Sequence, residues 1–250
     1  MVARACWLFK GPRALVRHYF DQTVPSQQPI RLRNGKQIRL SHHPLDVVVL
    51  FQVFCERVYP TTRNTLVVDV GANIGLFAFY AALHGVAKVY AFEPNLQAYG
   101  CMVENINRNG FQDVVVPYHY AVTASSGEEV SIRRTSSPQN RVVRGDVDPR
   151  EYETVGTISL DDFVRQERLS RVDLLKVDCE GSEYDILAGT SASTFAIIDR
   201  IVLEYHDGKA DLIKEDLKRH GFTLEKERPE TDMMGMLWFG RPNEPRRTAA

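Results

Sequence analysis

The chain has 250 residues with a formal net charge of −1, and 44% of its residues are hydrophobic and 25% charged. This length and composition allow one sizeable soluble α/β domain with a modest additional segment. The chain has no excess of lysine and arginine over acidic residues, unlike a typical nucleic-acid-binding protein. No apolar run in it reaches the length of a membrane helix. We therefore expect neither nucleic acid nor membrane as a partner.

The cysteines and the N-terminus favour a cytoplasmic protein, which we expect to be a monomer or a homodimer. The four cysteines stand singly, without the C-x-x-C spacing of metal sites. Cys55 and Cys101 fall in apolar stretches of helical character, where reduced and buried thiols are expected. The apolar run within residues 1–10 is too short for the core of a signal peptide.

The first 60 residues predict an extension that precedes the main domain. Residues 1–30 are polar with scattered aromatic side chains, and we expect a loose arm there. Residues 30–41 alternate around Asn34-Gly35, a dipeptide typical of hairpin turns. Residues 45–59 are apolar nearly all round, and their length favours a helix that covers the sheet.

Residues 61–240 show an alternation of strands and helices, which predicts a mostly parallel sheet. The predicted strands occupy residues 66–70, 88–92, 114–120, 172–177 and 198–205. The predicted helices occupy residues 74–84, 95–109, 160–167, 183–188 and 210–220. A hairpin of residues 222–226 and 234–239 is expected at the sheet edge, and a disordered tail over residues 241–250.

One segment of this domain, residues 124–152, differs in character from the rest. It is rich in Ser, Arg, Asp and Pro, and it contains one alternating, strand-like piece at residues 129–133. A stretch this long without regular structure is uncommon unless it has a role. Two interpretations stay open, a solvated variable insertion and a lid over the substrate.

A glycine-bracketed loop follows the first strand of the domain and predicts a nucleoside-cofactor pocket. A strand that breaks into such a turn and then a helix presents bare backbone N–H groups to a ligand. Glu93 follows the next strand, where an acid binds the ribose diol in dinucleotide folds. A purely structural interpretation is that the glycines only end a strand and Asn73 caps a helix. It is less favoured, because Asp69 precedes the loop and Glu93 follows it.

The middle of the loop indicates which cofactor binds. It reads Gly71-Ala-Asn73-Ile-Gly75, with an amide where the dinucleotide fingerprint has a glycine, and the chain has no P-loop motif. S-adenosylmethionine suits this loop better, since its amino-acid end needs carboxylate and ammonium partners close to its ribose. An NAD-dependent oxidoreductase stays open as an alternative.

Acidic residues follow four of the predicted strands. Ligands of parallel sheets bind at the carboxyl ends of the strands, so chemistry is expected there. The residues at these ends are Asp69, Glu93, Asp178-Cys-Glu180-Gly-Ser-Glu183 and Glu204-Tyr-His206-Asp207.

With these residues assembled, the chain resembles the FkbM family of S-adenosylmethionine-dependent methyltransferases over about residues 45–240. The matching pieces are VVDVGANIGLFAFYAA (67–82), VYAFEPN (89–95), ISLDDF (158–163), DLLKVDCEGSEYDILAG (173–189) and IVLEYH (201–206). The resemblance implies a Rossmann-like class I fold, with a seven-stranded mostly parallel sheet, an antiparallel last strand and helices on both faces. It also implies methyl transfer, usually to an oxygen of a small molecule, natural product or sugar.

The resemblance further implies where S-adenosylmethionine binds. Gly71, Asn73 and Gly75 would hold its methionine end, and Glu93 would bind its ribose hydroxyls. Asp69 would orient the loop or contact the amino group. The remaining cofactor residues are Asp178 at the amino group and Ala121 and Val122 beside the adenine.

A hydroxyl acceptor has a pKa far above neutrality, so a general base assists the in-line displacement. His206 is the first candidate because histidine titrates near neutral pH, although an ordinary loop histidine is the alternative. Glu180 and Glu204 are the competing bases, and Glu183 is expected only to stabilise a helix N-terminus. A divalent cation held by these acids is possible in principle but is not favoured.

A third function stays open beside the enzymes, a cofactor-binding module without catalysis. It predicts binding of S-adenosylmethionine without turnover. The intact acids at the strand ends argue against this module.

Overall fold

The structure, a computed structural model, describes residues 1–26 and 28–242. Most of the tail predicted at residues 241–250 lies outside these residues. The helices are α1 (Val2–Leu8), α2 (Pro12–Asp21), α3 (Asp46–Phe51), α4 (Leu76–Leu83), α5 (Leu96–Asn109), α6 (Leu160–Gln166), α7 (Glu183–Ala188), α8 (Ala192–Ala196) and α9 (Ala210–Arg219). The strands are β1 (Ile30–Arg31), β2 (Gln37–Ile38), β3 (Leu66–Val70), β4 (Lys88–Phe92), β5 (Val115–Tyr118), β6 (Ala121–Val122), β7 (Glu129–Arg133), β8 (Tyr152–Ile158), β9 (Leu174–Val177), β10 (Arg200–Tyr205), β11 (Thr223–Pro229) and β12 (Gly235–Gly240).

A seven-stranded sheet forms the centre of the domain, in the order β5-β4-β3-β9-β10-β12-β11. The five strands from β5 to β10 are parallel, and β12 runs antiparallel to both of its neighbours. Successive residues of the central strands join two different apolar cores, because side chains alternate between the faces of a sheet. Helices α1 to α5 pack on one face and α6 to α9 on the other, which confirms the predicted fold class and the terminal hairpin.

The expected loose arm at the N-terminus is wrong. Helices α1 and α2 pack onto the first core, where Phe9 and Leu15 are buried. The ring of Tyr19 lies 4.6 Å from that of Phe51 in α3. Leu15 and Tyr19 are four residues apart and share one helix face, so a short apolar stripe docks a segment whose average composition is polar.

The rest of the extension follows the sequence prediction. Strands β1 and β2 pair around a turn in which Gly35 has a φ of 89°. Helix α3 continues into a π-helical turn, Gln52–Glu56, that covers the sheet. The indole Nε1 of Trp238 in β12 donates to the Val58 carbonyl at 3.0 Å, which ties the extension to the far half of the sheet.

Residues 121–158 form a small three-stranded sheet, β6-β8-β7, beside the main one. The predicted piece at residues 129–133 is β7, and it pairs antiparallel with β8, a strand that the sequence reasoning missed. The end of β7 and the loop after it are tied to the start of α5, since Nδ2 of Asn95 donates to the carbonyls of Arg133 at 2.6 Å and Thr135 at 3.1 Å. The variable segment therefore has regular structure at both ends and a fixed position above the sheet.

No helix within the described ranges is long and apolar enough to cross a membrane.

Candidate active site

A cleft opens at the carboxyl ends of β3, β4 and β9. Ligands of open parallel sheets bind at this position. It is lined by the loops after these three strands, by β6 and by the loop after β7. The lining residues include Gly71, Asn73, Glu93, Tyr120, Ala121, Val122, Ser137, Pro138, Asn140, Asp178, Glu180 and Ser182.

The structure brings most of the predicted cofactor residues to this cleft. Asp69 and Gly75 are not among its lining residues, and of the predicted bases only Glu180 is. The predicted cofactor residues that line it are Gly71, Asn73, Glu93, Ala121, Val122 and Asp178.

The two glycines of the β3 loop are each required by a different close contact. Gly71 has a φ of 76°, and a Cβ there would lie 1.7 Å from the Asp178 carbonyl oxygen. The β3 and β9 loops can therefore approach each other only if this residue has no side chain. Gly75 has a φ of 78°, and its Cβ would lie 2.7 Å from Cγ of Met102, so this glycine allows α4 and α5 to pack.

A buried ion pair supports the loop from below. Asp69 is fully buried, and its Oδ1 lies 2.9 Å from Nζ of Lys176, which also donates to the Gly71 carbonyl at 2.8 Å. Burial would lower the pKa of Lys176, but the charges of Asp69 and Asp178 outweigh it and raise that pKa. Lys176 therefore stays charged. It links Asp69 to the loop at the Gly71 carbonyl. The sequence signal that we missed is a lysine inside an otherwise apolar strand.

Glu93 and Asn73 form one wall of the cleft. The two oxygens of Glu93 accept from the backbone N–H groups of Asn73 at 2.7 Å and Asn95 at 2.8 Å. Burial nevertheless raises the pKa of Glu93 to about 7. Both polar atoms of the Asn73 side chain are buried, and neither has a hydrogen-bond partner among the described residues. An amide with a free donor and a free acceptor fits the amino-acid end of a cofactor, and the glycine cradle beside it leaves room.

Asp178 is held from the N-terminal extension. Its Oδ2 accepts a hydrogen bond of 2.7 Å from the hydroxyl of Tyr59, a contact that spans 119 residues of sequence. Burial, followed by the nearby charge of Asp178, raises the pKa of Glu204 to about 10. Glu204 is therefore a weaker acid than an ordinary glutamate, and it is not among the lining residues of the cleft.

Glu180, His206 and Glu183 lie in a row that runs from the cleft into the core. Nε2 of His206 lies 3.3 Å from Oε2 of Glu180, and its Nδ1 lies 3.0 Å from Oε1 of Glu183. His206 is only 4% exposed and Glu183 is fully buried. The histidine thus lies one layer behind the acid that lines the cleft, and the sequence reasoning did not pair it with Glu183.

The loop after β7 forms the opposite wall, and an ion pair fixes its position. The guanidinium of Arg141 contacts Asp207 through both terminal nitrogens, each 3.2 Å from Oδ1. This pair lies over the turn at Gly181, where a Cβ would be 3.4 Å from the Arg141 nitrogen. Ser137, Pro138 and Asn140 of the same loop line the cleft.

Within residues 1–26 and 28–242, no three side chains of His, Cys, Asp or Glu are arranged to hold a metal ion.

The strand order, the antiparallel β12 and the glycine loop after β3 define a Rossmann-like methyltransferase fold. A model of the methyltransferase FkbM domain matches residues 69–227, and the chain belongs to this family. The match includes the β3 loop, Glu93 and the whole Glu180–His206–Glu183 row, whereas Tyr59 lies outside it.

Three curated relatives show how far the similarity extends. The 31-O-demethyl-FK506 methyltransferase FkbM of Streptomyces tacrolimicus is 26% identical over 80% of this chain and 90% of its own length. The hexuronic acid methyltransferase AglP of Haloferax volcanii is 31% identical over 56% of this chain and 55% of its own. The AMB antimetabolite synthetase AmbE of Pseudomonas aeruginosa is 30% identical over 69% of this chain, which spans only 10% of that synthetase.

Proposed function

We propose that this protein transfers the methyl group of S-adenosylmethionine to a hydroxyl of a small molecule, in the class of natural products and sugars. The observation that carries the proposal is the composition of one cleft. It combines the amide of Asn73, which has no hydrogen-bond partner among the described residues, with the buried carboxyl of Glu93 and the carboxyl of Glu180.

The cleft offers a partner to each part of this cofactor. Asn73 would meet the methionine carboxylate, Glu93 the ribose hydroxyls and Asp178 the ammonium group. Ala121 and Val122 are buried at the apolar wall, where an adenine ring would pack. When bound, the cofactor supplies a methyl group on a positively charged sulfur, which the acids of the cleft attract.

Glu180 is the best placed general base. Burial raises its pKa to about 7, partly offset by His206, so a large fraction is ionised near neutral pH while its basicity is high. Glu204 does not line the cleft, and His206 lies behind Glu180. During methyl transfer, Glu180 would accept the hydroxyl proton of the acceptor and hold it.

The names of the relatives support the acceptor class. One acts on 31-O-demethyl-FK506 and another on a hexuronic acid. On this proposal residues 61–240 hold the cofactor, and residues 1–60 and 124–152 shape the acceptor side, the latter as a fixed lid. Four unpaired cysteines support a reducing, cytoplasmic location. The protein would act as a monomer or a homodimer.

The direct test is transfer of tritiated methyl from S-adenosylmethionine to a panel of glucuronic acid, galacturonic acid and hydroxylated macrolides. We expect labelling of at least one class, and loss of it in Glu180→Gln, which keeps the shape of the side chain. Cofactor binding without any transfer across the panel would favour the non-catalytic module. Binding of NAD instead of the adenosyl cofactor would favour the oxidoreductase.

A further inference from the structure

We propose that Glu183 and His206 form a proton-holding pair behind Glu180, in which Glu183 positions the imidazole so that Nε2 receives the proton that Glu180 removes from the acceptor. This inference rests on the proposed function. It assigns Glu183 as a positioning residue, rather than as a mere stabiliser of the α7 N-terminus.

The geometry of the row carries the inference. Three elements meet here: His206 follows β10, Glu183 begins α7, and Glu180 lies in the loop between β9 and α7. The imidazole therefore has one carboxylate on each nitrogen, at 3.0 Å and 3.3 Å. Only the outer acid, Glu180, lines the cleft. A proton taken up at the cleft thus has a buried nitrogen directly behind it.

A backbone hydrogen bond holds Glu183 in place independently of its contact with the histidine. Its Oε1 accepts from the backbone N–H of Cys179 at 3.1 Å and contacts Nδ1 of His206. A carboxylate in this position keeps the proton on Nδ1. The lone pair of Nε2 is then free of any hydrogen bond to the described residues, and it lies 3.3 Å from Oε2 of Glu180. The carbonyl of His206 also accepts from the hydroxyl of Tyr184, which fixes the backbone on the other side.

The surrounding charges favour a protonated imidazole. Burial lowers the pKa of His206, but the hydrogen bond and charge of Glu183, with the charges of Glu180 and Asp178, raise it overall. On the other side of Glu180, Arg141 favours the ionised carboxylate. The charged groups that raise the pKa of the ring are thus three acids, Glu183, Glu180 and Asp178.

The proton balance of the step is complete. In the reactive state, which is populated at a pH above the raised pKa of His206, Glu180 is ionised and His206 is neutral with its proton on Nδ1. The carbon–oxygen bond forms, the carbon–sulfur bond breaks, and the hydroxyl proton passes to Glu180 and then to Nε2. The resulting imidazolium lies between two carboxylates, and its proton leaves to solvent through Glu180 when the products depart.

Nitrogen-15 NMR of histidine-labelled protein tests the pair without an acceptor. The chain has 7 histidines, and His206→Gln identifies the signals of this one. In the wild type we expect the neutral ring to be protonated on Nδ1, with a titration midpoint above the usual value of about 6.5. Glu183→Gln keeps the shape but removes the charge, and should lower the midpoint by about one pH unit or more, a tenfold change in proton affinity.

Asp185→Asn is the matched control, because it removes the same charge from an exposed position of the same helix. It should move the midpoint by less than about 0.3 pH unit, since exposed charges are screened. A neutral wild-type ring protonated on Nε2, or an unchanged midpoint in Glu183→Gln, would overturn the inference. If Glu183→Gln does not fold, the wild-type tautomer and midpoint decide alone. Calorimetry with S-adenosylhomocysteine separates the two proposals, because normal binding with an unperturbed His206 refutes only this one.

Discussion

Replacing Lys176 by methionine should destabilise the protein strongly, although the two side chains are of nearly the same size. The lysine is 3% exposed and Asp69 is fully buried, and their charged atoms are 2.9 Å apart. Removing one partner of such a pair leaves an uncompensated buried charge, at a cost of about 3–5 kcal/mol. For a chain of this length, that loss lowers the midpoint of thermal unfolding by roughly 6–20 °C.

The double variant Lys176→Met/Asp69→Asn tests whether the loss of stability comes from the unpaired charge of Asp69. It should cost less than Lys176→Met alone, because no unpaired charge remains, so the effects of the two substitutions should not add. The loss in Lys176→Met should also shrink as the pH falls. Its unpaired Asp69 has a raised pKa when folded, so the folded state binds more protons than the unfolded state and is favoured by acid.

Thermal and urea unfolding followed by circular dichroism provide the measurement. The matched control is Lys214→Met, which removes a lysine that pairs with Asp211 and Glu227 near the surface. It should cost less than about 1 kcal/mol. A similar small loss in Lys176→Met, or strict additivity in the double variant, would refute the buried-pair account.

Three further predictions concern the cleft. Gly71→Ala should weaken binding of S-adenosylhomocysteine about a hundredfold or more in calorimetry, since left-handed alanine alone costs about 1–2 kcal/mol and its Cβ would meet the Asp178 carbonyl at 1.7 Å; unchanged affinity would contradict it. The rate of methyl transfer should rise with pH through about 7, because burial raises the pKa of Glu180 to that value and only its ionised form accepts a proton. A flat pH–rate profile in single-turnover assays would exclude this base. Arg141→Ala and Asp207→Ala should each raise KM several-fold with less than about 1 kcal/mol of lost stability, and the double variant should match either single one. Additive effects on KM would show that the pair does not hold the loop.

The sequence predicted the elements from residue 66 to residue 109 closely, because strong apolar runs alternate there with glycine and asparagine signals. The N-terminal helices were missed because their docking stripe is short and lies within a polar composition. Strand β8 was missed because it is stabilised by pairing with β7, which lies about twenty residues earlier in the chain. Its own sequence carries little strand signal.

The candidate site was predictable where topology alone places residues together. Acids after parallel strands must meet at one edge, so Glu93, Asp178 and Glu180 were found from their positions. Tyr59 was not, because its contact with Asp178 joins the extension to the sheet, and no local pattern reports such a pairing. The sequence also does not show which of Glu180 and His206 lines the cleft. Both residues follow strands, and they differ only in how far they lie from the cleft surface.

The most direct test of the central claim is a calorimetric titration of the wild-type protein with S-adenosylhomocysteine, run beside one with NAD. The account predicts saturable binding of S-adenosylhomocysteine at one site per chain, lost in Glu93→Ala, and no binding of NAD. Saturable binding of NAD with no heat from S-adenosylhomocysteine would contradict it.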